Sequence, residues 1–385
     1  MVAQGPLGVP SWIEVSRAAL THNIGLFRRL LGPKTALLAV VKANAYGHGL
    51  APVVRVCRDE RVEWFGVHGA DEIIALRQLG VTGEILAMGF LTAAQIAHAV
   101  DPGVHVLLSS RQVLEALAAH SRRLGQPLPV HIKVDTGTHR QGVPPEEAVE
   151  LARWAQNAGL EVAGIATHFA NIEDTTDHQY ARSQLRQFRD SVAAVEAAVG
   201  RLRWVHAACS AAALLFREAD FSLARVGISL YGHWPSKETY LSWLLAHGRD
   251  GVKLAPALSW RVLVGQVKEV PAGAPVGYGL TYRPTRLSQI AVLPVGYSDG
   301  FPRALSNRAR VLIHGQPAPV VGRVAMNITL ADVTDIPGVV EGDVATLLGG
   351  DGEARASAEE LAELAGTINY EILARLSPSL PRMLT

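Results

Sequence analysis

Residues Ala39–Gly49 read AVVKANAYGHG. The apolar run Ala36–Val41 has the length and texture of a buried strand, and Lys42 ends it. A loop containing Gly47 and Gly49 follows. A lysine at the end of an apolar strand suits imine chemistry, because desolvation lowers the ammonium pKa and the neutral amine is the nucleophile. Small residues at 43, 45, 47 and 49 leave room for a bulky group beside the backbone. Taken alone, the segment is better explained by a lysine that snorkels out of a strand end.

The rest of the chain bears on that choice. Its strand candidates are Leu37–Val41, Trp64–Val67, Glu84–Ala87, Val104–Leu108, Val130–Val134, Val162–Ala166, Trp204–Ala208 and Leu223–Ile228. Helix-like stretches alternate with them: Arg17–Leu31, Ala70–Leu79, Arg111–Leu124, Pro145–Ala158 and Asp177–Val199. Eight β/α units predict a (β/α)8 TIM barrel, with an open doubly wound sheet as the alternative that alternation leaves in place. In such a barrel the C-terminal strand ends face one cavity. Here those ends carry Lys42, His68, Met88, Ser109, Lys133-Val134-Asp135, Thr167-His168, Ser210 and Arg225.

From about Gly248 the texture changes to short strand-like runs with Gly and Pro: Leu258–Val270, Ile290–Val295, Ala309–Ile313, Val320–Met326, Ile328–Val333 and Val344–Leu348. This predicts a mostly β C-terminal domain, closed by helices over Ser357–Ala365 and Ile368–Leu376. The expected organisation is an N-terminal strand over 1–16 packing with that domain, a barrel over 17–247 and the β domain over 248–385. Trp234–Gly251 reads as a linker or surface insertion.

Composition narrows the class. Of 385 residues, 49% are hydrophobic and 18% charged, which fits a well-buried globular chain. The net charge of +1 gives no basic excess for nucleic acid, and no apolar run approaches a membrane span. The opening MVAQGPLGVPS has neither a basic nor an apolar leader region, so the expected compartment is the cytoplasm. Cys57 and Cys209 make neither a disulfide framework nor a zinc site, and no metal is expected.

Four segments carry chemistry. The first holds Lys42 and Tyr46. The second, Lys133-Val134-Asp135-Thr136-Gly137-Thr138-His139-Arg140, ends a strand in a glycine-containing loop that delivers a guanidinium fork suited to a carboxylate. In the third, Ser210 with Arg225-Val226-Gly227-Ile228-Ser229 offers a hydroxyl and backbone amides for a phosphate. The fourth contains Gly277-Tyr278-Gly279 and Pro294-Val295-Gly296-Tyr297-Ser298-Asp299-Gly300. A lysine, a phosphate cradle and a converging arginine point to pyridoxal phosphate.

With those residues in view, the chain resembles the alanine racemases, fold-type III pyridoxal-phosphate enzymes. AVVKANAYGHG, KVDTGTHRQG (133–142), THF (167–169), HAACSAA (206–212), RVGISLYG (225–232), GYGLTY (277–282), PVGYSDG (294–300) and GRVAMN (322–327) follow in family order. The resemblance implies that Lys42 binds the cofactor and handles the α-proton of D-alanine, with Tyr278 as the opposite base for L-alanine. A free phenol titrates near about 10 and is a poor base at neutrality. The resemblance therefore ties Tyr278 to His168 and Arg225, and sets Arg225 against the pyridine nitrogen. It assigns the phosphate to Tyr46, Ser210, Gly227 and Ile228, and the substrate carboxylate side to Arg140, Met326 and Tyr297. It makes Lys133 a candidate for carbamylation. It also implies a homodimer in which Tyr278 and Met326 complete the other copy's site, and a role supplying D-alanine for peptidoglycan.

The chain departs from the family pattern at Asn327, where relatives usually have Asp, and at Pro378, where some have a tyrosine on the phosphate. Cys209 stands where Asn is common, and Asn171–Asp174 differs from the usual acidic run. These leave room for a racemase of other or broader range, such as serine or lysine. A non-catalytic cofactor carrier on the same barrel would lack the β domain. A decarboxylase would usually carry a cysteine there, and none lies beyond position 209.

Overall fold

The computed structural model describes residues 8–248 and 251–385. Residues 1–7, which belong to the opening stretch and to the 1–16 segment, and residues 249–250 within Trp234–Gly251, lie outside the described residues. The chain divides into two compact units. One comprises Ala19–Ala43 and Val53–Ala255; the other comprises Asn44–Pro52 and Pro256–Thr385 with the described part of the first 18 residues.

Strand β1 (Ser11–Val15) belongs to the second unit. The first unit is built on eight parallel strands: β2 (Ala36–Val40), β3 (Trp64–Val67), β4 (Glu84–Ala87), β5 (Val104–Leu108), β6 (Pro129–Lys133), β7 (Glu161–Ala166), β8 (Trp204–His206) and β9 (Leu223–Val226). Their order is β8-β7-β6-β5-β4-β3-β2-β9. The remaining seam between β8 and β9 is bridged by Ser222 N–H donating to Val205 O at 3.2 Å and Arg225 N–H to Ala208 O at 3.1 Å. The sheet thus curls into a nearly closed TIM-like barrel, and the open doubly wound alternative is set aside. Sequences such as WFGV and VHVLL are buried at every position, as strands covered on both faces require.

The helices follow their end signals. Arg17–Leu31 and Arg111–Leu124 have the bounds that periodicity predicts. Ser110 caps the latter by accepting from Val113 N–H at 3.3 Å, and Gly125 at φ 71° ends it. Trp234–Gly251, read as a linker or surface insertion, contains regular structure. Lys237–His247 within it is a helix, started by Ser236 Oγ accepting from Thr239 N–H at 2.9 Å. Leu241 and Leu245 on it are exposed.

The second unit holds two sheets. In one, β1 lies between β10 (Leu258–Leu263), antiparallel, and the last strand, Arg382–Leu384, parallel. In the other, β11 (Gln266–Val270) pairs with β12 (Ser288–Leu293), and β12 with Thr329–Asp332. The run Leu258–Val270 is therefore two strands, broken at Val264-Gly265 and given to different sheets. Val320–Met326 is not a strand. It makes one isolated bridge, Val320 to Ala331, before Gly322 turns at φ 72°. A Cβ there would stand 2.8 Å from Val276 O. Trp260 and Phe301 meet edge-on at 6.1 Å in this unit's core.

Candidate active site

Lys42 follows the C-terminal end of β2. The four residues after it, Ala43, Asn44, Ala45 and Tyr46, all have positive φ, between 51° and 54°. This is a left-handed helical turn of non-glycine residues, which costs about 1–2 kcal/mol per residue and persists only under strong local restraint. Glu72 supplies one restraint: Oε1 accepts from Ala43 N–H at 2.7 Å while Oε2 accepts from His68 N–H at 2.6 Å. Asn44 supplies another, its Oδ1 accepting from Leu50 N–H at 2.8 Å and its carbonyl from Gly49 N–H at 2.9 Å. Gly47 is required, since a Cβ would lie 1.9 Å from Leu373 O. Burial pushes the Lys42 ammonium pKa down; the Arg140 and Arg225 charges push the same way, and Glu72 opposes them.

Lys133 closes β6 and is buried, its Nζ donating to Val134 O at 3.1 Å. Burial first, then Arg225, brings its pKa to about 7, with Asp135 opposing and Arg140 assisting. Asp135 organises the loop that follows. Its Oδ1 accepts from the N–H groups of Gly137, Thr138 and His139 at 2.9, 2.9 and 3.1 Å. Thr138 Oγ1 ties the loop to His168 O at 2.7 Å. Arg140 is presented at the exposed end of this loop.

Arg225, buried in β9, spends its guanidinium on three carbonyls and two imidazoles. Nη1 donates to His206 Nδ1 at 2.6 Å and to His206 O at 3.2 Å. Nη2 donates to Thr167 O, Ala207 O and His168 Nδ1 at 2.8, 3.0 and 3.2 Å. Burial lowers it to about 10, so it stays cationic at neutral pH. Burial, followed by Arg225, Lys133, Arg140 and Lys42, holds His168 neutral, well below the usual imidazole range. With Nδ1 accepting, the His168 proton sits on Nε2. Close by, Ser210 Oγ accepts from Gly227 N–H at 2.9 Å and Ser229 N–H at 3.4 Å, so the hydroxyl meets the turn that contains Ile228.

The barrel mouth thus brings together Lys42, Lys133, Arg140, His168, Ser210, Arg225, Gly227 and Ile228. Its charges are mainly cationic, with Glu72 and Asp135 as the opposing carboxylates. An amine whose pKa is lowered by burial, a hydroxyl-and-amide turn and a fixed guanidinium match an aldehyde, a phosphate and a ring nitrogen, and the cationic mouth matches a second anion. Glu72 and His206 were not singled out from sequence. Glu72 lies 29 residues from the backbone it holds, and His206 is masked inside an apolar strand.

Tyr46, Tyr278, Tyr297 and Met326 belong to the second unit. The Tyr46 ring lies 6.1 Å from that of Tyr370. Tyr278 stands on a turn between Gly277 (φ 70°) and Gly279 (φ 72°), where a Cβ on Gly279 would strike the Arg323 guanidinium at 2.7 Å. Tyr278, Tyr297, Met326, Arg323 and Asn327 line an open groove of about 750 Å³. Tyr278 is 74% exposed and Met326 56%. Asn327 Nδ2 donates to Ser298 Oγ at 2.7 Å, and that hydroxyl donates to Met326 O at 2.8 Å.

Comparison with known proteins gives the same picture over the whole chain. The family described as "Alanine racemase, N-terminal domain" matches residues 15–235, and "Alanine racemase, C-terminal domain" matches 257–384. A curated alanine racemase of Symbiobacterium thermophilum is 41% identical over 374 residues, 97% of this chain and 96% of that protein. One from Leptospira interrogans is 36% identical over 376 residues, covering 97% and 95%. The crystal structure of alanine racemase from D-cycloserine-producing Streptomyces lavendulae superposes with a TM-score of 0.89 at 32% identity, covering 98% of this chain and 97% of that one. The chain belongs to the alanine racemase family.

Proposed function

We propose that the protein is an alanine racemase, a pyridoxal-phosphate-dependent isomerase interconverting L- and D-alanine, with Lys42 and Tyr278 as its two bases. The single observation that carries the assignment of the site is the half-buried amine of Lys42, its pKa lowered by desolvation and by neighbouring guanidinium charge, at a mouth built from Arg225, His168, Arg140 and the Ser210–Gly227 turn. The family is pyridoxal-phosphate dependent, and the donor set fits the cofactor: Lys42 for the aldehyde, Tyr46, Ser210, Gly227 and Ile228 for the phosphate, Arg225 for the ring nitrogen. When bound, the cofactor acidifies the α-C–H of an amino acid joined to it by delocalising the resulting negative charge.

The chain's own residues do the rest. A neutral Lys42 Nζ takes or returns the α-proton on one face. The Tyr278 hydroxyl serves the opposite face, because a single base would tend to return the proton to the face it left. In this reading the Nε2–H of His168, oriented by Arg225, donates to the Tyr278 oxygen and orients it toward the α-carbon. Arg225 does not surrender its proton, so it does not protonate the ring nitrogen fully, and this limits side reactions. Arg140, with Tyr297 and the backbone of Met326, holds the substrate carboxylate. A carbamate on Lys133 would give Arg140 a fixed anionic partner.

The exposure of Tyr278 and Met326 supports a homodimer in which each copy completes the other's site. No helix among the described residues is long and apolar enough to cross a membrane. A cytoplasmic enzyme with the barrel over 17–247 and the β domain over 248–385, feeding D-alanine to peptidoglycan, is the accompanying proposal. The test is α-proton exchange in D2O with each L-amino acid, followed by NMR and chiral analysis. Exchange and racemisation of alanine alone is the expected result. Comparable exchange of serine or lysine would change the substrate assignment, and absence of exchange with cofactor bound would overturn the function.

A further inference from the structure

The hydrogen bonds of Arg225 do not end at His206. His206 Nε2 lies 2.7 Å from His131 Nδ1, and His131 Nε2 lies 2.8 Å from His105 Nδ1. His105 Nε2 lies 3.2 Å from Glu84 Oε2. The three rings stand on β8, β6 and β5, fully or almost fully buried, while Glu84 begins β4 at the barrel end opposite Lys42. Strand β7 separates β6 from β8, and the crossing is open because its residue opposite His131 is Gly164. A Cβ on Gly164 would come within 2.9 Å of His131 Nδ1. Trp64 covers the far end, its ring 4.7 Å from His105 and 6.2 Å from His131.

Donor chemistry gives the chain one direction. Arg225 can only donate, so His206 Nδ1 accepts and carries its proton on Nε2. That proton goes to His131 Nδ1, which puts the His131 proton on Nε2 and repeats the step at His105. The last N–H meets the Glu84 carboxylate. Burial keeps all three rings in the neutral form this requires. Three buried imidazoles are a poor choice for a barrel core that leucine would fill, since each needs both nitrogens satisfied. Here the polar row starts on the guanidinium of the site and ends on a carboxylate.

We propose that Glu84, His105, His131 and His206 form one directional relay that orients and polarises Arg225, so that Glu84 on the barrel floor is a positioning residue for chemistry at the mouth. Its consequence for turnover rests on the racemase reading; its hydrogen-bond order does not. Arg77, Arg203, Asp101 and Glu161 are the charged groups facing Glu84, and Arg203 also faces His105. Protonation of Glu84 removes the negative charge at the end of the relay and leaves a carbonyl oxygen as acceptor, so the equally neutral amide of Glu84→Gln mimics low pH.

The test uses the cofactor-loaded protein labelled with [15N]histidine. The expected spectrum has His105, His131 and His206 neutral with hydrogen on Nε2 between about pH 6 and 9. Glu84→Gln should shift His105, then His131 and His206 in decreasing steps, flatten the acid limb of kcat, and lower kcat about fivefold at unchanged KM. Glu84→Asp should restore most of this. His105→Leu cuts the same relay from inside; if it does not fold, Glu84→Gln decides alone. A ring protonated on Nδ1 or on both nitrogens overturns the proposal. So does a Glu84→Gln protein in which only His105 shifts while kcat and its pH profile match wild type. Wild-type protein with the expected histidine pattern but no α-proton exchange would sink the racemase reading and leave the relay in place.

Discussion

Arg225 reaches His168 Nδ1 at 3.2 Å through the same Nη2 that donates to Thr167 O at 2.8 Å. The carbonyl fixes the fork, and the fork fixes the imidazole tautomer. Lysine at 225 keeps the charge but brings one nitrogen and three donors in place of a rigid planar set. Arg225→Lys should lose about 2–4 kcal/mol of stability through unpaired buried carbonyls. It should also lower kcat for both alanine enantiomers. Thermal unfolding beside steady-state kinetics checks this, and a variant with wild-type kinetics would remove Arg225 from the proposed chemistry.

Lys133 makes a prediction whose sign follows from its pKa of about 7 in the fold against 10.5 as the ordinary value. Between these values the unfolded chain binds the extra proton, so stability rises with pH. Below about pH 7 both states are protonated and the full cost of burying the ammonium is present; above 10.5 it is gone. Lys133→Met should therefore stabilise unmodified protein most in acid and flatten the climb from pH 7 upward. Bicarbonate should act in the same window by reaction with the neutral amine. A carbamate resonance from 13C-bicarbonate, absent in Lys133→Met, checks the modification directly.

The strained turn after Lys42 gives a third. Glu72→Gln keeps one acceptor oxygen where Glu72 used two, for Ala43 N–H and His68 N–H. It should cost about 1–2 kcal/mol. It also removes the charge that holds Lys42 protonated, so the Lys42 pKa should fall further and the low-pH limit of cofactor binding should move to more acid pH. Spectrophotometric titration of bound cofactor reads this. An unchanged titration would mean that Glu72 acts on the backbone alone. Gly47→Ala should be far worse, because its Cβ meets the Leu373 carbonyl rather than a movable side chain.

Those residues also mark what was legible in the sequence. The eight strands could be read because parallel strands buried on both faces are continuous apolar runs, and their ends exposed Lys42, Lys133, His168 and Arg225 as exceptions. Glu72 and Glu84 were not legible. Each lies in an ordinary polar position, and the partner that matters to the site, Ala43 N–H for Glu72 and His105 for Glu84, comes from another β/α unit. His105 and His131 were hidden for the opposite reason: inside VHVLL and PVHIK a single histidine does not disturb an apolar reading. The helix Lys237–His247 was not separated from its surroundings because its apolar residues, Leu241 and Leu245 among them, follow no one-sided period, and the break at Val264-Gly265 was missed because a two-residue interruption joined two strands.

Tyr278 makes the sharpest prediction, because a two-base reaction is asymmetric about its bases. Tyr278→Phe removes the hydroxyl and keeps the ring on a turn whose shape depends on Gly277 and Gly279, so the fold and the cofactor site should survive. Proton removal from L-alanine should then fall by about 10²-fold or more, the scale of a lost general base, while Lys42 still removes the α-proton of D-alanine. In D2O the variant should wash deuterium into D-alanine without racemising it and leave L-alanine unlabelled. Equal loss from both enantiomers with cofactor bound would reject Tyr278 as the L-specific base. Labelling of L-alanine alone would exchange the roles of Lys42 and Tyr278.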